Sequence, residues 1–211
     1  MRKILKAVCI PAFALILFFL GGLLADKYFL QDRLIRLHVV ANSNSETDQF
    51  NKLAVRDAVL EYLDNYLPEI TTSEQVKEIL QSKTDEIESV VNEALVMLKA
   101  GYSGKVSLKK EVFDMRVYDT FTLPSGVYTA LKIELGDAEG KNWWCVAFPS
   151  LCLPATSAGF EEAAIQAGMD DSLVNTVSSD GEYHIRFFFL ECIGKLENFL
   201  HLSKSCPLFG T

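Results

Sequence analysis

The pattern of apolar positions divides the chain into an apolar leader, a helical region and a region of strands. Residues 7–25 carry no charged side chain. Over residues 46–98 apolar side chains recur every three or four positions, which is typical of amphipathic helices, and from Val106 they alternate with polar ones, which indicates strands. This order predicts an α+β class: an N-terminal apolar segment, then one domain with a mainly antiparallel sheet, two long helices and a C-terminal helix.

The apolar leader has the composition of an export segment. Arg2, Lys3 and Lys6 precede the uncharged run, as basic residues do in signal sequences. About 20 apolar residues span a bilayer, and a cleavable signal is shorter. We therefore expect residues 1–25 to be either a signal peptide or a signal anchor.

The position of the basic residues predicts the topology of the chain. Positive charge before an apolar segment keeps the N-terminus in the cytosol. Residues 26–211 are then a single exported domain, either secreted or held at the membrane through residues 7–25.

The exported domain is acidic. Without the leader, 17 basic residues remain against 28 acidic ones, a net charge of −11. Phosphate backbones repel such a domain, so we expect no nucleic-acid partner.

Helix start signals follow a first short strand, residues 34–40. Ser45 with Asp48 three positions later resembles a capping box, as does Thr72 with Gln75. The first helix is predicted to end at Pro68, and the second to continue without a break to Gly101.

The second half of the chain is predicted to supply the rest of the sheet. Alternation indicates strands at 106–112, 128–135 and 142–148, and the last two are expected to form a hairpin. The run Tyr183–Glu191 is expected to be a final, central strand. A short helix is predicted at Gly159–Ala167. A C-terminal helix is predicted to cover the sheet with Ile193, Leu196, Phe199 and Leu200.

The segment NWWCVAFPSLC, residues 142–152, concentrates the candidate chemistry. Alternation places Trp143 with Cys145 on one face of a strand and Trp144 on the other. An exposed tryptophan is an anchor of the kind that supplies interface energy, although burial of both is the structural alternative. Cys145 and Cys152 are close enough in sequence to form a disulfide, or they are buried free thiols.

Catalytic motifs are absent from the sequence. It contains no G-x-S-x-G, no H-E-x-x-H and no glycine-rich phosphate loop. An exported hydrolase with Cys145 as the nucleophile is the alternative function, with His38 as a possible neighbouring base, but no local feature marks a low-pKa thiol. We expect a protein that is not an enzyme and has no cofactor or metal.

Three long segments resemble the stage II sporulation protein R family. They are RLHVVANSNSETDQFNKLAVRD, YDTFTLPSGVYTALKIELG and NWWCVAFPSLC, in this order behind an export segment. The resemblance covers most of residues 33–152 and the region near the C-terminus. Asn44 stands where an aspartate is expected, and Asp137–Gly140 replaces a more glycine-rich turn.

The resemblance implies a signalling role in sporulation. Members of this family are exported from the forespore into the space between the two cell membranes. There they activate a membrane-embedded aspartic protease of the mother cell, which processes the precursor of the mother-cell sigma factor, pro-sigma-E. The implied mechanism is protein binding.

Our candidates for the partner-binding surface come from two places in the chain. They are His38, Asn42, Ser43, Asp48, Gln49, Arg56 and Asp57 around the first turn and helix, and Tyr128, Asn142, Trp143 and Trp144 from the predicted hairpin. Each has a structural alternative, because the turn residues can cap a helix, Arg56 and Asp57 can pair locally, and His38 can be a core residue.

Overall fold

The secondary structure is α+β, as the sequence predicts. The structure, a computed structural model, describes residues 2–67, 72–118, 121–149, 164–165, 174, 177 and 185–205. Its elements are α1 (Arg2–Arg33), β1 (Ile35–Val40), α2 (Glu46–Asp64), α3 (Ser73–Ser82), α4 (Thr84–Met97), β2 (Gly104–Phe113), β3 (Arg116–Val117), β4 (Thr122–Leu123), β5 (Gly126–Leu135), β6 (Asn142–Phe148) and α5 (Ile185–Ser205). Most strand pairs are antiparallel, and a C-terminal helix is present.

The first strand is the key to the sheet. The strand order is β2-β5-β1-β6, with β1 parallel to β5 and antiparallel to β6. The predicted hairpin between β5 and β6 is therefore wrong, because β1 lies between them. All six residues of β1 are buried, which a strand achieves at the centre of a sheet and not at its edge. The loop between β5 and β6 crosses the end of β1, where Gly140 N donates to Ala41 O at 2.9 Å.

Alternation along β1 creates two cores, one on each face of the sheet. Ile35, Leu37 and Val39 point to the first core, which α2, α3 and α4 cover. Arg36 and His38 are on the opposite face, where Leu30 near the end of α1 and Leu34 just after it belong to the second core. The predicted boundary after residue 25 falls inside α1, which continues unbroken to Arg33.

Both predicted helix starts are confirmed, but the second predicted helix is not one continuous helix. Ser45 Oγ accepts a hydrogen bond from Asp48 N at 3.1 Å, and Thr72 Oγ1 accepts from Gln75 N at 3.4 Å. The helix predicted from Thr72 to Gly101 is two helices, α3 and α4, that meet at Lys83, whose ψ is 11°. The break lets the buried faces of both short helices contact the first core. Pro68 lies outside the described residues.

The C-terminal segment corrects two predictions. The run expected to be a strand, Tyr183–Glu191, is helical from Ile185 onward, because a short apolar run does not distinguish a strand from a helix and the helical period continues to residue 205. The predicted buried face is also wrong: Leu196, Phe199 and Leu200 are exposed. The predicted helix at Gly159–Ala167 lies outside the described residues except for 164–165, which are helical.

Polar contacts attach α5 to the domain. Glu191 accepts two hydrogen bonds from Ser125, from the backbone N at 2.6 Å and from Oγ at 2.8 Å. Asn198 Nδ2 donates to Phe113 O at 2.8 Å. Gly194 lies against the Ser125 carbonyl, so close that a Cβ would overlap this oxygen.

We predict that Gly194→Ala loosens α5. In an open helix this change stabilises by about 1 kcal/mol, but here overpacking should cost about 1–3 kcal/mol. Hydrogen exchange of the α5 amides in the full-length protein in micelles should become faster. Gly22→Ala is the matched control, because nothing lies within 4 Å of the added Cβ. Unchanged α5 protection in Gly194→Ala would contradict the close contact.

Candidate partner-binding surface

The turn after β1 is a closed hydrogen-bond network centred on Asp48. Its carboxylate accepts from Ser43 Oγ at 2.5 Å, Asn42 Nδ2 at 3.0 Å and Tyr102 OH at 2.7 Å. The bonds from Ser43, Tyr102 and Asn42, in this order of effect, lower the pKa of Asp48 to about 2. Asp48 is buried, and its acceptors are used within the domain.

The same turn holds the loop that leads into β6. Asn42 Oδ1 accepts from Asp137 N at 2.9 Å, and Asn44 Oδ1 accepts from Lys141 N at 2.9 Å. Gln49 Nε2 donates to Ser43 O at 2.8 Å. The turn around Asn44 and the loop between β5 and β6 therefore contact each other. The start of β6 is positioned by Asn42, Ser43, Asp48 and Gln49. These contacts agree with a structural role for the four residues.

Trp143 forms an open cluster with the outer side of α2. Its ring lies under the Arg56 guanidinium, with 4.4 Å between Cζ and the ring centroid. Arg56 Nη2 in turn pairs with Asp57 Oδ1 at 2.6 Å. Trp143 is 37% exposed, and β6 is the outermost strand of the described four-stranded sheet, with Asn142 exposed beside it. We call Arg56, Asp57, Asn142 and Trp143 the Trp143 cluster.

Trp144 faces the other side and belongs to a more enclosed arrangement. It stacks on His38 with ring centroids 3.7 Å apart and an interplanar angle of 16°, and Arg116 Cζ lies 5.2 Å from its centroid. His38 Nδ1 contacts Glu111 Oε2 at 2.7 Å, and its Nε2 is buried with no hydrogen-bond partner. The prediction that one tryptophan enters a core fits Trp144, which is partly buried against the second core.

Glu111 connects this arrangement to a group of charged residues on the sheet. Burial raises its pKa, but the contact with His38 and the charges of Lys132 and Lys109 outweigh burial, so the pKa is lowered. Lys132 Nζ lies 3.4 Å from Glu111 Oε1 and 2.7 Å from Glu134 Oε1. The carboxylate is thus held ionised beside His38.

Two core residues change the predicted set. Tyr128 is buried, its OH donates to Pro124 O at 2.8 Å and burial raises its pKa, so it cannot form part of a contact surface in this structure. Arg36 is 0% exposed; its Nη2 donates to Tyr118 OH at 2.5 Å, and its Cζ lies 4.2 Å from the Phe113 centroid. Arg36 was not predicted from the sequence, although a charged residue inside an apolar strand is a signal that could have identified it.

Cys145 is buried and disulfide-bonded, so it has no thiol in this structure to act as a nucleophile. Its predicted partner, Cys152, lies outside the described residues, and this pairing stays a prediction. The free cysteines among the described residues are Cys9 and Cys192.

Comparison with known proteins decides the family. The family model described as Stage II sporulation protein R (spore_II_R) matches residues 31–158, more than half of the chain. The chain belongs to this family. A relative named Stage II sporulation protein R, from Bacillus subtilis (strain 168), is 34% identical over 161 residues, which are 72% of this chain and 72% of the relative. No solved structure matches the chain.

The matched residues include the whole turn network and both tryptophans. They include neither the apolar part of α1 nor α5. The match to the family model therefore covers the central sheet and the first-core helices.

We predict an acid-dependent stability contribution from Asp48. A carboxylate whose pKa falls on folding, here from 3.8 to about 2, stabilises the fold above roughly pH 4 and loses that effect as the pH falls toward 2. Asp48→Asn should lower the free energy of unfolding by about 1–3 kcal/mol at neutral pH. The difference from the natural protein should shrink in acid.

Urea unfolding at a series of pH values measures this difference. Ser43→Ala is the matched control, since it keeps the carboxylate and removes its first donor, and it should give a smaller change of the same sign. A difference between the natural protein and Asp48→Asn that is constant from neutral pH to acid would contradict the assignment.

Proposed function

We propose that this protein is an intercellular signal of sporulation that acts by binding. It is exported from the forespore into the space between the two membranes. There it activates a membrane-embedded aspartic protease of the mother cell, which processes the sigma factor precursor. Membership of the stage II sporulation protein R family supports this role, since the family resemblance implies it.

The first support for export is helix α1. Among the described residues, one helix is long and apolar enough to cross a membrane, Cys9–Arg33, and it is close to the N-terminus. Its large apolar side chains, such as Phe13 and Phe18, are exposed to solvent in the isolated chain. An exposed apolar helix of this kind is consistent with a signal or anchor segment.

The observation that carries the binding proposal is the Trp143 cluster. Tryptophan and arginine are the residues most enriched at the energetic centres of protein interfaces. Here they are stacked before any partner is present, because Trp143 follows a loop tied to the Asp48 network and Arg56 is paired with Asp57. A surface that is ordered in advance loses little conformational entropy when it binds.

Binding can activate a protease only if the active state binds more tightly than the inactive one. Changing a population from 1:99 to 99:1 requires a difference of about 5.5 kcal/mol. Three contacts worth about 2 kcal/mol each, made with the active state and not with the inactive one, supply this amount. A cluster of the present size is therefore sufficient, and no bond has to be made or broken by the signal protein.

We predict that Trp143→Ala weakens binding to the purified membrane protease by roughly 2 kcal/mol, or about 30-fold, and reduces precursor processing to a similar degree. The measurement is a titration in reconstituted vesicles, with circular dichroism to establish folding.

Phe50→Ala is the matched control for this substitution. Phe50 is an aromatic residue of α2 that is 63% exposed and lies outside the Trp143 cluster. Its removal should leave binding and processing unchanged. Equal affinity of the Trp143→Ala and natural proteins would contradict the proposed surface.

A further inference from the structure

Helix α5 is amphipathic, and the side that it turns inward is mainly polar, with Leu190 as its buried apolar residue. The residues that attach it to the domain are Glu191, Glu197 and Asn198. The residues on its outward side are apolar or weakly polar and form one stripe at helical spacing: Phe188, Phe189, Cys192, Leu196, Phe199 and Leu200, all exposed. A helix that covers a domain normally has the opposite orientation, so this stripe needs another apolar environment.

The contacts between α5 and α1 indicate what that environment is. The rings of Phe19 and Phe189 are in edge-to-face contact, with centroids 5.6 Å apart. Lys27 Nζ lies 2.6 Å from Glu197 Oε2. These two pairs have the same spacing in sequence, so the helices run side by side in the same direction over this stretch. The stripe of α5 thus continues the exposed apolar surface of α1, which includes Phe18, Leu20 and Leu24.

We propose that the first part of the outward stripe, Phe188, Phe189 and Cys192, contacts the acyl chains of the bilayer beside α1, and that Leu196, Phe199 and Leu200 lie in the headgroup region. The partner is lipid, because the stripe adjoins the apolar part of α1. Lys195, at the border of the stripe, pairs with Glu191 at 3.4 Å and keeps a side chain that is 70% exposed.

Phe19 precedes Lys27 by about 12 Å of helix at 1.5 Å per residue, a depth within the outer leaflet when α1 is inserted. Phe189 precedes Glu197 by the same distance, so the first part of the stripe lies level with the apolar part of α1. Leu196, Phe199 and Leu200 lie level with residues 26–30 of the chain.

The polar bonds of α5 keep the stripe facing outward. Rotating the helix would break the bonds of Glu191 to Ser125 and of Asn198 to the Phe113 carbonyl, and would leave these buried groups unpaired. The domain is therefore held to the membrane at two places, through α1 and through α5. This goes beyond the proposed signalling role and does not depend on the identity of the protease.

Lipid-phase photolabelling of the full-length chain tests the proposal. The protein is reconstituted in phosphatidylcholine vesicles that contain a phosphatidylcholine with a photoactivated carbene precursor in its acyl chain, and labelled peptides are mapped by mass spectrometry. We expect labels on residues 9–25 and on Phe188, Phe189 and Cys192. Exposed apolar residues elsewhere, Phe50 on α2 and Val96 on α4, serve as internal controls and should stay unlabelled.

A variant separates lipid contact from other causes of labelling. Phe188→Ser with Cys192→Ser, which keeps the contact of Phe189 with Phe19, should reduce the α5 label several-fold and leave the α1 label unchanged, whereas Phe50→Ser should change neither. Labelling of α5 at the level of Val96 would overturn the proposal. Crosslinks between the α5 helices of two chains, without lipid labels on α5, would also overturn it and identify a second copy as the partner. Because no protease is present, either result leaves the signalling role to its own test.

Discussion

The central position of β1 is the constraint on which the rest of the structure depends. This strand pairs with β5 on one side and β6 on the other, and its side chains alternate between two cores. This arrangement places the side chains of Arg36 and His38 on the face of the sheet that carries the second core. It also puts Trp143 and Trp144 on opposite faces of the sheet. Strand β1 also runs away from α1. Val39 and its pairing partner Trp143 therefore lie roughly 13 Å along the strand from Ile35, at the end of the sheet that is distant from the apolar helix.

Positioning and contact are divided between different residues of the candidate surface. Asn42, Ser43, Asp48 and Gln49 bond to one another and to the loop before β6, which leaves them few free groups for a partner. They position the Trp143 cluster at the edge of the sheet, where the Arg56 guanidinium lies over the exposed indole and pairs with the Asp57 carboxylate. The acid dependence of Asp48 and the partner contact proposed for Trp143 thus depend on one network.

Local signals in the sequence were sufficient for some features and not for others. The caps at Ser45 and Thr72 were predictable because a side chain three positions away completes them, and the opposite faces of Trp143 and Trp144 follow from strand alternation. The crossover of the β5–β6 loop past β1 depends on contacts between distant segments, which periodicity does not contain. The apolar run before Glu191 fits a strand or a helix equally well. The inward polar side of α5 depends on Ser125 and Phe113, which are far away in sequence.

The central claim is that the signal acts by docking the Trp143 cluster on its receptor. The most direct measurement places a photoreactive phenylalanine analogue at position 143, and in a separate protein at position 50, and maps the crosslinks formed with the protease in reconstituted membranes during precursor processing. The account predicts adducts on the protease from position 143 and none from position 50. Processing that proceeds with no adduct from position 143, or with equal adducts from both positions, would contradict it.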